Sequence, residues 1–202
     1  MGYYRAGFDE IVGIDIEKQK NYPFDFFQGD ALRPPVDFND FDLIHASPPC
    51  QRFTQARSFN KFRHNRDWQD YPDLLTPCRE MLANSGVPYI IENVPGAPMR
   101  IDVMLCGTMF GLRVIRHRWF EIFPLRLILT PPCQHEGTVA NGDYYCVVGT
   151  GGLGMTSTPY AKKRECAEAM NITWMTRKEM TQAVPPAYTQ FLGKEIIKND
   201  TR

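Results

Sequence analysis

Apolar positions along this chain come in short runs separated by polar or helical stretches. IVGIDI (residues 11–16), FDFFQGD (24–30), DLIHAS (42–47), YIIENV (89–94) and the region around RWFEIF (118–123) read as strands. PDLLTPCREMLANSG (72–86) places apolar residues at Leu74, Leu75, Cys78, Met81 and Leu82, the spacing of one helix face, and Gly86 supplies the stop. Strand–helix–strand alternation predicts an α/β fold with a parallel, doubly wound sheet. From about Thr130 the pattern gives way to Pro, Gly, Thr and Asn, and helical texture returns at Tyr160. This predicts a small inserted or appended region. QAVPPAYTQFLGKEI (182–196) places prolines where a final helix begins.

Strand ends carry the residues that ask for a chemical role. The third strand runs into SPPCQRFT (47–54), and prolines cannot continue a central strand. Cys50 is thereby presented at a strand end, where α/β proteins place their chemistry. It reads as a nucleophile or as a small core residue. The stretch after it carries Arg57, Lys61, Arg63, His64 and Arg66 before its first acid, Asp67. Glu92 directly follows three largely apolar residues, and a buried carboxylate is costly unless paired or protonated. Asp15 and Asp30 close the first two strands. Each suits a ribose hydroxyl or a helix cap, and position alone does not separate these.

Composition narrows the partners little. The 202 residues suit one domain with a modest appendage, and 23 basic residues balance 23 acidic ones. Local clusters stand out against that balance: five Lys/Arg between Gln51 and Arg66, then Arg113, Arg116, His117 and Arg118, then Lys162, Lys163 and Arg164. Six cysteines (50, 78, 106, 133, 146, 166) form no CxxC pair, and no signal peptide or membrane-spanning apolar run is present, so reduced thiols in a cytoplasm are expected. Cys133-Gln134-His135 with Cys146 downstream is the nearest approach to a metal spacing. It fits no zinc template, and no metal is expected.

A thiol and a semi-buried carboxyl suit conjugate addition to a pyrimidine. A thiolate adding at carbon 6 of cytosine turns the ring into an enamine whose carbon 5 can attack a methyl donor. A carboxylic acid at ring N3 assists, and Glu92 needs a raised pKa for that, which apolar Ile90, Ile91 and Val94 favour. Arg116 and Arg118 alternate so that a strand would project both to one face, toward the base. A base in a duplex must be flipped out to be reached, and a mobile basic loop can close over it.

These residues resemble the DNA (cytosine-5) methyltransferases, in particular the compact type of phages and prophages. Pro49-Cys50-Gln51, followed by Phe53, matches the nucleophile motif, and Glu92-Asn93-Val94 matches the Glu-Asn-Val motif. The Gln-x-Arg-x-Arg motif matches at Arg116 and Arg118, with Val114 in place of Gln. QAVPPAYTQFLG resembles the last family motif, which packs beside the cofactor site. Order and spacing agree from residue 2 to about residue 196. The resemblance implies a class I methyltransferase (Rossmann-like) sheet, S-adenosylmethionine as methyl donor and double-stranded DNA as substrate. It implies catalytic roles for Cys50, Glu92, Asn93, Arg116 and Arg118, and cofactor contacts at Asp15, Ile16, Asp30 and Pro49. A catalytic core over 1–125, a small target-recognition region over 126–175 and a segment over 176–202 returning to the core follow. A monomer, and a place in DNA methylation or restriction-modification, are expected.

The family's Phe-x-Gly-x-Gly-Gly cofactor loop belongs immediately before GYYRAGF (2–8) and is not in this chain, so the first strand of the sheet is expected to be missing. An alternative is DYYCVVGTGGLG (143–154), whose Gly149, Gly151 and Gly154 give a glycine-rich turn after an apolar run. It substitutes for that loop in a permuted chain or lies in the recognition region. PPCQ recurs at 131–134; Cys50 is preferred because it precedes Glu-Asn-Val, and Cys133 is placed in a hinge. A thymidylate-synthase-like pyrimidine methylase and a non-catalytic DNA-binding remnant are the rival readings.

Overall fold

The computed structural model describes residues 1–54, 70–147 and 161–200. Arg57, Lys61, Arg63, His64 and Arg66 of the basic stretch, and Gly149, Gly151 and Gly154, lie outside the described residues. The chain divides into two compact units. Met1–Ala31, Cys106–Arg116 and Pro131–Arg202 make the first; Leu32–Leu105 and His117–Thr130 make the second.

In the first unit, α1 (Gly2–Ala6) leads to two parallel strands, β1 (Val12–Asp15) and β2 (Asp25–Gln28), in register from Val12 opposite Asp25 to Asp15 opposite Gln28. Tyr22 packs on Phe24 and Phe26, with ring centroids 6.0 and 5.7 Å away. The later elements are α3 (Lys163–Met170), α4 (Arg177–Gln182) and α5 (Pro186–Asp200). Thr176 and Glu179 cap α4 reciprocally: the Thr176 amide donates to Glu179 Oε2 at 2.6 Å, and the Glu179 amide to Thr176 Oγ1 at 3.3 Å. Cys166, Ala169, Met170, Ile172 and Met180 close a core with Val114 and Val147. Burying such a cluster is what stabilises a unit with so little sheet.

Helix α5 crosses α1 at glycines. A Cβ on Gly193 would stand 2.8 Å from Ala6 Cβ and 3.0 Å from the Tyr3 ring, and one on Gly2 would overlap Thr189 and the Pro186 carbonyl. Only glycine allows the two backbones this close.

The second unit holds β3 (Ile44–Ala46), α2 (Leu75–Ser85), β4 (Tyr89–Asn93), β5 (Val103–Leu105) and β6 (Arg118–Phe123). The sheet order is β3-β4-β6-β5. Strand β4 pairs parallel with β3, and β6 runs antiparallel to both β4 and β5. All five residues of β4 are buried. Helix α2 covers the sheet through Leu75, Cys78 and Leu82, against Tyr89, Ile91 and Ala97. Asp73 starts that helix by accepting the Leu75 and Thr76 amides at 3.0 and 3.2 Å. Buried Glu121 fixes β6 by accepting Arg79 Nε and Nη2 at 3.0 and 2.9 Å and the Arg100 amide at 3.1 Å.

The α/β class agrees with the sequence reading, but the all-parallel expectation is corrected. Among the described residues the strands pair in two sheets, of two and four strands, and β6 is antiparallel. Strand direction depends on the path of the intervening chain, which hydrophobic periodicity does not encode. Residues 106–116 belong to the first unit, so the chain leaves the second unit after β5 and re-enters it at β6.

Candidate active site and family membership

Within the second unit, the loops after β3 and β4 meet. Strand β3 ends at Ala46, and Ser47-Pro48-Pro49 carries the chain to half-buried Cys50. There it turns: the Phe53 and Thr54 amides both donate to the Cys50 carbonyl at 2.9 Å. Arg52 holds the turn from outside, donating through Nη1 to the Tyr71 carbonyl at 2.7 Å. Asn93, 1% exposed at the end of β4, joins the two loops. Its Nδ2 donates to the Pro48 carbonyl at 3.0 Å while its Oδ1 accepts the Val94 amide at 2.9 Å. Three residues on, Gly96 adopts φ +99°, and a Cβ there would stand 3.4 Å from the Phe53 carbonyl.

Glu92 is 6% exposed and ion-paired. Arg118 Nε, on the first residue of antiparallel β6, donates to Glu92 Oε1 at 2.7 Å, and the remainder of that guanidinium reaches the His117 carbonyl through Nη1 at 2.8 Å. Ile90 and Ile91 beside Glu92 are fully buried, as the sequence suggests. The carboxylate is thus stabilised by a cation at the same time as it is desolvated. Apolar surroundings alone, on which the expectation of a raised pKa rests, do not describe Glu92. On β3, half-buried His45 has its pKa lowered to about 4 by burial, so it is neutral near pH 7; Nε2 lies 3.2 Å from Ser47 Oγ.

The other expected positions lie in the first unit, Pro49 excepted. Asp15 ends β1 and accepts the Glu17 amide through Oδ1 at 2.8 Å and Gln19 Nε2 through Oδ2 at 3.2 Å. No helix follows β1, so these bonds close a turn and are not the helix cap that the sequence offered; a carboxylate so engaged keeps further lone pairs for a hydroxyl. Ile16, next to it, is 68% exposed. Asp30 and Pro49 are exposed too. An acceptor beside an exposed aliphatic surface at adjoining parallel strand ends fits the ribose and base of a nucleoside.

Arg116 does not share a strand with Arg118, because β6 begins at Arg118. Its side chain is buried in the first unit, donating through Nη1 to the Val147 carbonyl and through Nη2 to that of Thr181, both at 2.8 Å; the Tyr188 hydroxyl donates to the Arg116 carbonyl at 2.6 Å. Val114, standing where the resemblance expects Gln, is a 2%-exposed core residue.

Residues 2–99 match the family model described as C-5 cytosine-specific DNA methylase. That segment belongs to the C-5 cytosine-specific DNA methylase family. The methylase segment contains Cys50, Glu92 and Asn93, and it contains Asp15, Ile16, Asp30 and Pro49; Arg118 lies beyond it. No curated protein matches the chain. The sequence reading gives Asn93 the ordering of the active-site turn, but not the carbonyl that it holds. The Pro48 carbonyl carries no side-chain signal, and only the Asn after Glu92 hints at a loop that needs tying.

Proposed function

We propose that the protein is a DNA (cytosine-5) methyltransferase acting through Cys50 on a cytosine flipped from double-stranded DNA. The observation that carries the reading is the Asn93 side-chain bond to the Pro48 carbonyl. It ties the loop bearing the thiol to the strand end bearing Glu92, two motifs far apart in sequence. The four-stranded sheet, with antiparallel β6 between β4 and β5, supports a class I methyltransferase-like core.

In this reading the Cys50 thiolate adds to carbon 6 of the ring. Glu92 holds N3, sharing or giving a proton there as electron density moves onto the ring. Arg118 turns part of its guanidinium from Glu92 to the base oxygen, and Asn93 is a positioning residue that keeps the thiol loop in place. S-adenosylmethionine, when bound, would supply the methyl group for carbon 5 and leave as S-adenosylhomocysteine. Loss of the carbon 5 proton to a base then expels the thiolate and restores the aromatic ring. Asp15 would hold the ribose of that cofactor and Asp30 its adenine, with Ile16 and Pro49 as further expected contacts. Arg116, the other arginine expected at the base, holds the Val147 and Thr181 carbonyls of its own unit.

The test is covalent trapping with S-adenosylmethionine and duplex DNA carrying 5-fluorocytosine, whose fluorine blocks release of the thiolate. A denaturation-resistant adduct that maps to Cys50 and disappears in Cys50→Ala is expected. An adduct mapping to Cys133, in the second PPCQ, or no adduct at all, would overturn the assignment.

A further inference from the structure

A second cluster of nucleophilic side chains lies in the first unit, outside the methylase segment. Cys106 Sγ, Cys133 Sγ and an imidazole nitrogen of His135 all fall within 4.8 Å of one another. Cys106 Sγ is 3.4 Å from His135 Nε2, and Cys133 Sγ is 3.2 Å from the same nitrogen. A neutral imidazole nitrogen has either one lone pair or one N–H, so it makes a full hydrogen bond to only one of two thiols. Two sulfurs converging on one nitrogen are poorly explained by hydrogen bonding alone.

They are well explained by a shared ion. A tetrahedral zinc with Zn–S of about 2.3 Å and Zn–N of about 2.0–2.1 Å sets sulfur and nitrogen ligands about 3.6 Å apart. The observed separations are within a few tenths of an ångström of that edge. Soft thiolates with an imidazole also select zinc over harder divalent cations. Sequence spacing alone suggests Cys146 as the partner of Cys133 and His135 and therefore no metal; the fold brings in Cys106 instead.

The surroundings suit a built site. Cys106 is wholly buried and opens the Gly107–Phe110 turn. That turn is pressed against the following chain so closely that a Cβ on Gly107 would collide with the Val114 carbonyl, which fixes the cysteine in place. The Thr108 hydroxyl lies 3.5 Å from Cys106 Sγ and 3.9 Å from Cys133 Sγ, an outer partner for both sulfurs. Cys133 is half-buried and His135 exposed, which leaves a way in for the ion. The described residues of 131–147 form no helix or strand, so a metal cross-link stabilises a stretch that lacks backbone pairing.

We propose that Cys106, Cys133 and His135 supply three of the four ligands of a zinc ion that fastens the start of Pro131–Arg202 to the Cys106–Arg116 segment. The reading is independent of the methyl-transfer chemistry, since neither Cys50 nor Glu92 takes part.

The test uses the full chain purified under reducing conditions, with zinc measured by elemental analysis and cobalt(II) titrated as a coloured probe. Expected are about one zinc per chain and a thiolate-to-cobalt charge-transfer band of the intensity given by tetrahedral sites. Cys133→Ser and His135→Ala, at accessible positions that leave the buried core intact, should weaken cobalt binding at least about tenfold. Cys146→Ser should not change it. Chain without zinc and without the cobalt band, a band that survives Cys133→Ser, a band lost in Cys146→Ser, or a Cys106 to Cys133 disulfide in reduced protein would each overturn the proposal.

Discussion

Glu92 and Arg118 illustrate how one pair serves both folding and chemistry. Taking the Arg118 side chain away leaves a carboxylate at 6% exposure without its cation, and breaking a buried pair from one side costs about 3–5 kcal/mol. Arg118→Ala should therefore lower stability by an amount of that order in denaturant titration, as well as activity. Glu92→Gln keeps an acceptor for Arg118 but not the acid, so near-native stability with about 10²–10⁴-fold slower methylation is expected in single-turnover assays. His45 gives a prediction in pH. Its folded pKa of about 4 lies below the usual 6.5, so the unfolded chain binds the extra proton between those values. Stability should be constant with respect to this group above about pH 6.5 and fall as pH drops toward 4. His45→Gln should flatten that slope in equilibrium unfolding measured across the window. At this scale the sequence was legible where a residue type is unusual for its neighbours, as with Glu92 after Tyr-Ile-Ile. It was not legible for Arg116, whose carbonyl partners lie 31 and 65 residues away and carry no side-chain signature.

Among the elements, apolar runs located β1 to β4 and β6, because short strands flanked by Gly, Pro and Asp leave few other ways to bury Val, Ile and Phe. Strand β5 escaped: three residues, Val103–Leu105, are too few to show alternation. Helix α2 was legible in both its face and its Gly86 stop. Asp73→Ala, which removes its cap, should cost about 0.5–2 kcal/mol, and Leu82→Ala, which empties a fully buried position, about 2–5 kcal/mol; thermal denaturation distinguishes the two. The α1 and α5 crossing was not visible in sequence, since glycine in a helix usually reads as a weakness. Gly193→Ala should destabilise by about 1–3 kcal/mol even though alanine is the better helix former, because its methyl meets Ala6 and Tyr3.

For the molecule as a whole, charge is balanced, so the proposed action on DNA calls for attraction by local clusters. Replacing Arg57, Lys61 and Arg63 with alanine should lower the salt dependence of duplex binding, by about 0.9 in the log–log slope for each phosphate no longer neutralised. Each compact unit groups stretches remote from one another in sequence. Periodicity reports which face of an element is apolar, not which distant element will cover it. The crossing of α1 and α5 carries that lesson into biosynthesis. A ribosome delivers Gly2 well before its neighbour Thr189, whereas Leu32–Leu105 and His117–Thr130 are complete before Thr189 emerges. The unit with the candidate nucleophile can therefore fold while the chain is still being made, and α1 must wait exposed, a natural client for a chaperone, until α5 emerges.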